Sequence, residues 1–160
     1  MSLLRMISEL VRSEVRFVLI GGLAARLHGS PRITEDLDVC YDVSEDNRQL
    51  LAELLARWHA YPRGVEPGLP FIVDAKAIEV TPVMTLTTDL GDIDLFDVVE
   101  GVGGYDQVLK ASVEVVTGDL RFHALDLPGL LKAKRAAGRP KDLDQIPELE
   151  ALIKLRRKRR

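Results

Sequence analysis

Cysteine is almost missing: Cys40 is the single one in 160 residues. That excludes an internal disulfide, and no cluster of cysteine or histidine surrounds it to build a zinc site. Neither staple is available, so hydrophobic packing has to hold the fold. Long apolar runs are missing too, and no stretch approaches the length needed to span a membrane. The opening segment, Met1 to Val11, has no basic cluster followed by an unbroken apolar run, so an export leader is not expected. Internal repeats and low-complexity linkers are also absent. What is left, 46% apolar and 29% charged residues, suits one globular domain over residues 1–160, expected to be cytoplasmic and away from membranes.

The charge is unevenly placed. The net charge is −3, yet six of the seven residues from Lys154 to Arg160 are basic, which leaves about −9 on the rest. Such a tail can touch RNA phosphates, and it also suits the end of a solvated helix, where cations favour the macrodipole.

Leu3, Leu4, Ile7, Leu10 and Val11 recur at helical spacing and predict an opening helix laid on the core. Phe17-Val18-Leu19-Ile20 reads as a short strand that runs into Gly21-Gly22, and Leu23 to His28 as a short helix closed by Gly29. Asp36 to Tyr41 alternates polar with apolar residues, as a half-buried strand does. Ser44 is a candidate cap for a helix burying Leu50, Leu51, Leu54, Leu55 and Trp58, and prolines and glycines from Pro62 to Pro70 mark a loop. Val83 to Thr87 and Ile93 to Val98 predict a hairpin, with a short helix near Tyr105 to Leu109. Val113 to Val116 and Leu120 to His123 predict a second strand pair. From Asp126 onward the chain reads as helical, with Asp126 and Pro128 starting one helix that Gly138 ends, and Pro147 opening another.

The chemistry concentrates between residues 21 and 38. Residues two apart on a strand face the same way, about 6.6 Å apart, so Asp36 and Asp38 can converge on shared divalent cations. Hard oxygen donors suit Mg²⁺, and two metals about 3.5 to 4 Å apart can clamp the attacking and leaving oxygens of an in-line displacement. Asp94 is the candidate third carboxylate and acceptor of the attacking hydroxyl's proton. It is preferred to Asp92, which directly follows the turn glycine and is explained by a solvated strand end. Gly21 and Gly22 let a triphosphate approach the backbone at a helix start, and Ser30 and Arg32 can add phosphate contacts. His28 reads as a helix-end residue, and Cys40 as a small buried side chain.

Gly21-Gly22, His28-Gly29-Ser30-Pro31-Arg32, Thr34 and Asp36-Leu37-Asp38 together resemble the signature of the polymerase β nucleotidyltransferase superfamily. Thr88 to Leu95 and the run Lys134 to Asp142 are similar to the small bacterial nucleotidyltransferase-like proteins related to abortive-infection toxins. The resemblance covers roughly residues 17 to 150. It implies an α/β fold, a mixed β-sheet flanked by helices with a helical C-terminal part from about residue 126. It also implies metal ligation by Asp36, Asp38 and Asp94, a triphosphate site shaped by Gly21, Gly22 and Arg32, and a phosphate contact from Lys134. One departure is visible: many active members carry Gly-Ser at Gly21-Gly22, so a phosphate-contacting hydroxyl is missing at Gly22.

The leading expectation is Mg²⁺-dependent transfer of a nucleoside monophosphate from a nucleoside triphosphate to a hydroxyl, with tRNA or protein favoured as acceptor. The resemblance further implies a toxin with a neutralising antitoxin partner. Gly22 motivates the alternative of a non-catalytic nucleotide-binding module, and the acidic body allows an antibiotic-modifying enzyme.

Overall fold

Strand-forming apolar runs alternate with amphipathic helices along the chain, and the buried faces of both close on one mixed sheet. The computed structural model describes residues 3–160, so the first two residues of the opening segment lie outside it. In chain order the elements are α1 Leu3–Arg12, β1 Phe17–Ile20, α2 Gly21–Leu27, β2 Asp36–Tyr41, α3 Glu45–Arg57, β3 Tyr61–Pro62, α4 Ala75–Val80, β4 Val83–Thr88 and β5 Gly91–Phe96. They continue as β6 Val98–Val99, β7 Gly103–Gly104, α5 Tyr105–Lys110, β8 Ser112–Thr117, β9 Leu120–Leu125, α6 Leu127–Ala137, α7 Pro140–Leu143 and α8 Ile146–Lys158. The main sheet runs β3-β4-β5-β2-β1-β9-β8, and β6 pairs separately with β7.

The sheet is mixed at its centre. β2 runs parallel to β5 and antiparallel to β1, while β1 runs parallel to β9. Alternation then sorts the side chains: Leu19, Leu37, Val39, Leu86, Ile93 and Leu95 are fully buried in the hydrophobic core. The residues between them, including Asp36, Asp38, Asp92 and Asp94, fall on the opposite face. A one-residue slip of β5 against β2 would exchange these two sets, so burial of the aliphatic set locks the register.

Several local expectations need correction. Leu4 is exposed and Met6 takes its place in the buried stripe of α1, because Met6 stands one turn from Leu10 on the packed side. Ser44 occupies the N-cap position of α3, but its side chain makes no capping bond. Its hydroxyl instead accepts from Arg16 Nη2 at 2.8 Å. Helix α4 has no counterpart in the sequence reading. It is a six-residue element capped by Asp74, which accepts from Ala77 N at 2.8 Å, and only Ile78 of it is buried. Strand β5 starts at Gly91, which brings Asp92 inside the ladder opposite Asp36. Asp92 is therefore a strand residue within the acidic face, not a solvated strand end. Helix α2 begins directly at Gly21, and the caps of α6 are as expected, with Asp126 accepting from Gly129 N at 2.7 Å and Gly138 left-handed at φ +64°. Among the described residues, no helix is long and apolar enough to cross a membrane.

Asn47 is a fully buried polar clamp between the first helix–strand junction and the start of α3. Its Oδ1 accepts from Arg16 N at 2.7 Å, and its Nδ2 donates to Asp42 O at 2.7 Å and Arg16 O at 3.1 Å. Truncation strands Arg16 N and Asp42 O, while Arg16 O keeps its bond from Asp42 N, and each buried unsatisfied group costs about 1–3 kcal/mol. Asn47→Ala is therefore expected to lower unfolding free energy by about 3 kcal/mol, read as a shifted urea midpoint with an unchanged slope.

Candidate functional site

Register places four carboxylates on one sheet face: Asp36 lies beside Asp92 and Asp38 beside Asp94 on the parallel strands β2 and β5. Asp38 sits deepest in charge terms. Burial, then the neighbouring Asp94 and Asp36, push its pKa up to about 7, with Lys134 pulling the other way. Asp38 and Asp94 are direct register partners on neighbouring strands. The donors are hard oxygens, and a like-charged pair held this close is the arrangement that a divalent cation relieves, so the set fits such an ion. Among the described residues, no three acidic, histidine or cysteine side chains converge on a single point. Part of the acidic face is engaged elsewhere.

That engagement comes from Arg63, which sequence reasoning missed. Its Nη2 donates to Asp94 Oδ1 at 2.7 Å and to Leu86 O at 2.9 Å. Its Nε lies 3.2 Å from Asp92 Oδ2. The sequence signal was poor: a lone arginine between Pro62 and Gly64, in a stretch rich in loop formers. Only the edge pairing of β3 with β4 carries it across to β5, with Arg63 N donating to Thr85 O at 3.0 Å.

Gly21 is dictated twice over. Its φ is +68°, and a Cβ there would lie 2.1 Å from Asp38 Oδ2. The start of α2 is thus pressed against the acidic face. At Gly22 a Cβ would meet Thr34 Oγ1 at 3.0 Å, so the Thr34 hydroxyl already occupies the space that a serine at 22 would enter. That hydroxyl donates to Asp36 O at 3.3 Å, at the start of β2.

Gly21 and Asp38 open into a cleft of about 450 Å³. Ile20, Phe96, Val98, Val99, Leu125 and Leu130 give it apolar walls, and Lys134, Arg139 and Asp142 give it a charged side. Asp142 is buried, and it organises that side by pairing with Arg139 Nε at 2.7 Å and Lys134 Nζ at 3.4 Å. It also accepts from Arg139 N at 3.2 Å, so it both pairs and caps. Burial raises the Asp142 pKa, but the bonds and charges of Arg139 and Lys134 outweigh it and hold the group below its ordinary value.

Ser30 and Arg32 lie outside this cleft lining. Ser30 Oγ donates to Glu148 Oε2 at 3.1 Å, and Arg32 donates to the same oxygen at 3.3 Å and to Asp144 O at 3.4 Å. In this structure the two residues fasten the loop before β2 to α8. His28 is buried with Nε2 2.8 Å from Leu125 O, and burial lowers its pKa. Cys40 is buried, and burial pushes its thiol up to about 12. Neither is shaped for nucleophilic or metal chemistry.

Residues 3–128 match the family model described as the nucleotidyl transferase AbiEii toxin of a type IV toxin–antitoxin system. The fold is similar to that of a solved Thermotoga maritima protein proposed to be a nucleotidyltransferase. The two share 17% identity and a TM-score of 0.50, covering 97% of this chain and 91% of that one. At that identity the likeness speaks of fold alone. No curated protein matches the chain.

Gly21→Ala is expected to destabilise the chain by at least about 1–2 kcal/mol, the cost of left-handed backbone for an L-residue, and to displace Asp38. Denaturant melts measure the first, and the chemical shifts of residues 36–38 the second. For Asp142 the depressed native pKa sets the sign. Its stabilisation is complete above the unfolded carboxylate value of about 4 and is lost as pH falls through the lower native value. The stability gap between wild type and Asp142→Asn, about 2 kcal/mol near neutrality, should stay level above about pH 5 and narrow below about pH 4.

Proposed function

This chain belongs to the AbiEii nucleotidyltransferase toxin family, and we propose on that premise that it moves a nucleoside monophosphate from a nucleoside triphosphate to a hydroxyl acceptor. The observation that carries the reading is the side-by-side placement of Asp36, Asp38, Asp92 and Asp94 on one sheet face, with Asp38 lining a cleft that Lys134 and Arg139 also line. Asp36, Asp38 and Asp94 would hold Mg²⁺, which supplies charge neutralisation for the phosphates and alignment of the attacking and leaving oxygens.

The chain's own groups have distinct tasks. The backbone at Gly21-Gly22 gives the triphosphate close approach at the start of α2, with the Thr34 hydroxyl beside it. Lys134, held in place by Asp142, faces the phosphates from α6. The apolar walls from Ile20, Leu125 and Leu130 suit the nucleoside. Asp94 takes the proton of the attacking hydroxyl as its oxygen bonds to the α-phosphorus and pyrophosphate departs with the broken bond's electrons. A tRNA or protein acceptor fits the basic end of α8, where Arg156, Arg157 and Lys158 crowd the last turn. Toxicity and neutralisation by an antitoxin partner follow the family. The second reading, a non-catalytic nucleotide-binding module, is favoured by one observation: Arg63 already engages Asp92 and Asp94.

Incubating the full chain with each labelled nucleoside triphosphate, Mg²⁺ and a cell extract separates the two. Label should pass to RNA or protein with wild type, and an Asp36→Asn, Asp38→Asn double variant should lose at least about a thousand-fold of that rate, in line with removal of a main electrostatic contributor. Nucleotide binding without any transfer by wild type would select the module.

A further inference from the structure

The acidic face carries more negative charge than its neighbours neutralise. Four carboxylates share it, Asp36, Asp38, Asp92 and Asp94. Lys134 is 3.4 Å from Asp142, so part of its charge is spent on that carboxylate. Arg63 is the one cationic side chain bonded to the cluster among the described residues. It enters from the β4 side, reaches two of the four carboxylates and leans on the Leu86 carbonyl.

The fit is good enough to hold and poor enough to exchange. The Nη2 bond to Asp94 is short, at 2.7 Å. Nε, although 3.2 Å from Asp92 Oδ2, is buried and off line for a hydrogen bond, leaving one guanidinium N–H without an acceptor. The side chain retains 31% of its exposure, so solvent reaches it. Beyond it the backbone runs through Gly64 and Gly68, both at positive φ with open space around them. A guanidinium donates into the same carboxylate lone pairs that a metal ion takes. Full pairing of Asp94 with Arg63 and ligation of a cation through that oxygen therefore exclude each other.

We infer that Arg63 is a resident counter-ion of the acidic face, which engages Asp94 and Asp92 and is exchanged for a divalent cation when the site loads. The inference rests on the metal-site reading given above. It assigns to Arg63 a positioning role: it sets how tightly the cation binds and keeps the unloaded carboxylates from repelling one another. It also accounts for the absence, among the described residues, of three convergent acidic ligands.

Mn²⁺ serves as the probe, its free concentration followed by electron paramagnetic resonance on the full chain. Arg63→Gln removes the competing charge and should bind Mn²⁺ about ten-fold more tightly than wild type, the equivalent of one charge-assisted bond. Arg63→Lys, which keeps the charge, should stay near wild type, and Asp38→Asn should lose binding. In wild type, Mn²⁺ should also speed tryptic cutting of the bond after Arg63, located by mass spectrometry, a readout that survives if Arg63→Gln does not fold. Equal or weaker Mn²⁺ binding by a folded Arg63→Gln, or an unchanged cutting rate in wild type that binds Mn²⁺, overturns the role of Arg63 and leaves the metal site standing. Failure of both wild type and Arg63→Gln to bind Mn²⁺ overturns the two together.

Discussion

Like charge crowded onto one sheet face is the constraint around which this protein is built. Asp36 with Asp92, and Asp38 with Asp94, stand abreast on parallel neighbours, and adjacent strands are only about 4.8 Å apart. Two unit charges near that distance repel by roughly 3 kcal/mol at an effective dielectric of about 20. What keeps β2 and β5 together is the reverse side of the same strands. Leu37, Val39, Ile93 and Leu95 are fully buried there, and each such side chain contributes about 1.5–3 kcal/mol. The core wins narrowly, and the remainder is met by local means: Arg63 on one flank, Lys134 across the cleft, and a raised proton affinity at Asp38.

The surrounding elements serve that compromise. Helix α2 begins at Gly21 because no other residue lets its first turn press against Asp38. Helix α6 presents Lys134 only because Asp142 is buried beneath it and tied to Arg139 as well. Ser30 and Arg32 hold the chain just before β2 against Glu148 of α8. Sheet, first turn and C-terminal helices are thus fixed relative to one another by a small number of ionic and steric contacts, and the cleft is the space those contacts leave.

Much of this was legible in the amino-acid sequence because it follows from periodicity and end signals. The strand at 17–20, the glycine turn, the alternating 36–41 segment, the hairpin near residue 91 and the capped helix from Asp126 to Gly138 all obey local rules. So did membership of the nucleotidyltransferase fold, carried by residues close together in sequence. What escaped depended on partners far along the chain. Arg63 reaches Asp94 only because two edge pairings intervene. Asp92, next to the turn glycine, reads as a turn residue because only its ladder partner, Asp36, puts it inside the strand. Helix α4 was missed since six residues with one buried side chain leave no period to detect. Ser30 and Arg32, read as phosphate contacts, bond to a glutamate more than a hundred positions away, which no local pattern encodes.

The close approach at Gly21 carries a consequence for how such a sequence can diverge. Every other amino acid would bring a carbon to within 2.1 Å of the Asp38 carboxylate, and the positive φ would penalise it again. Position 21 therefore cannot drift by single steps while an aspartate stands at 38. The constraint runs one way: an aspartate at 38 demands the glycine, whereas loss of the carboxylate removes the collision and leaves only the backbone penalty at 21.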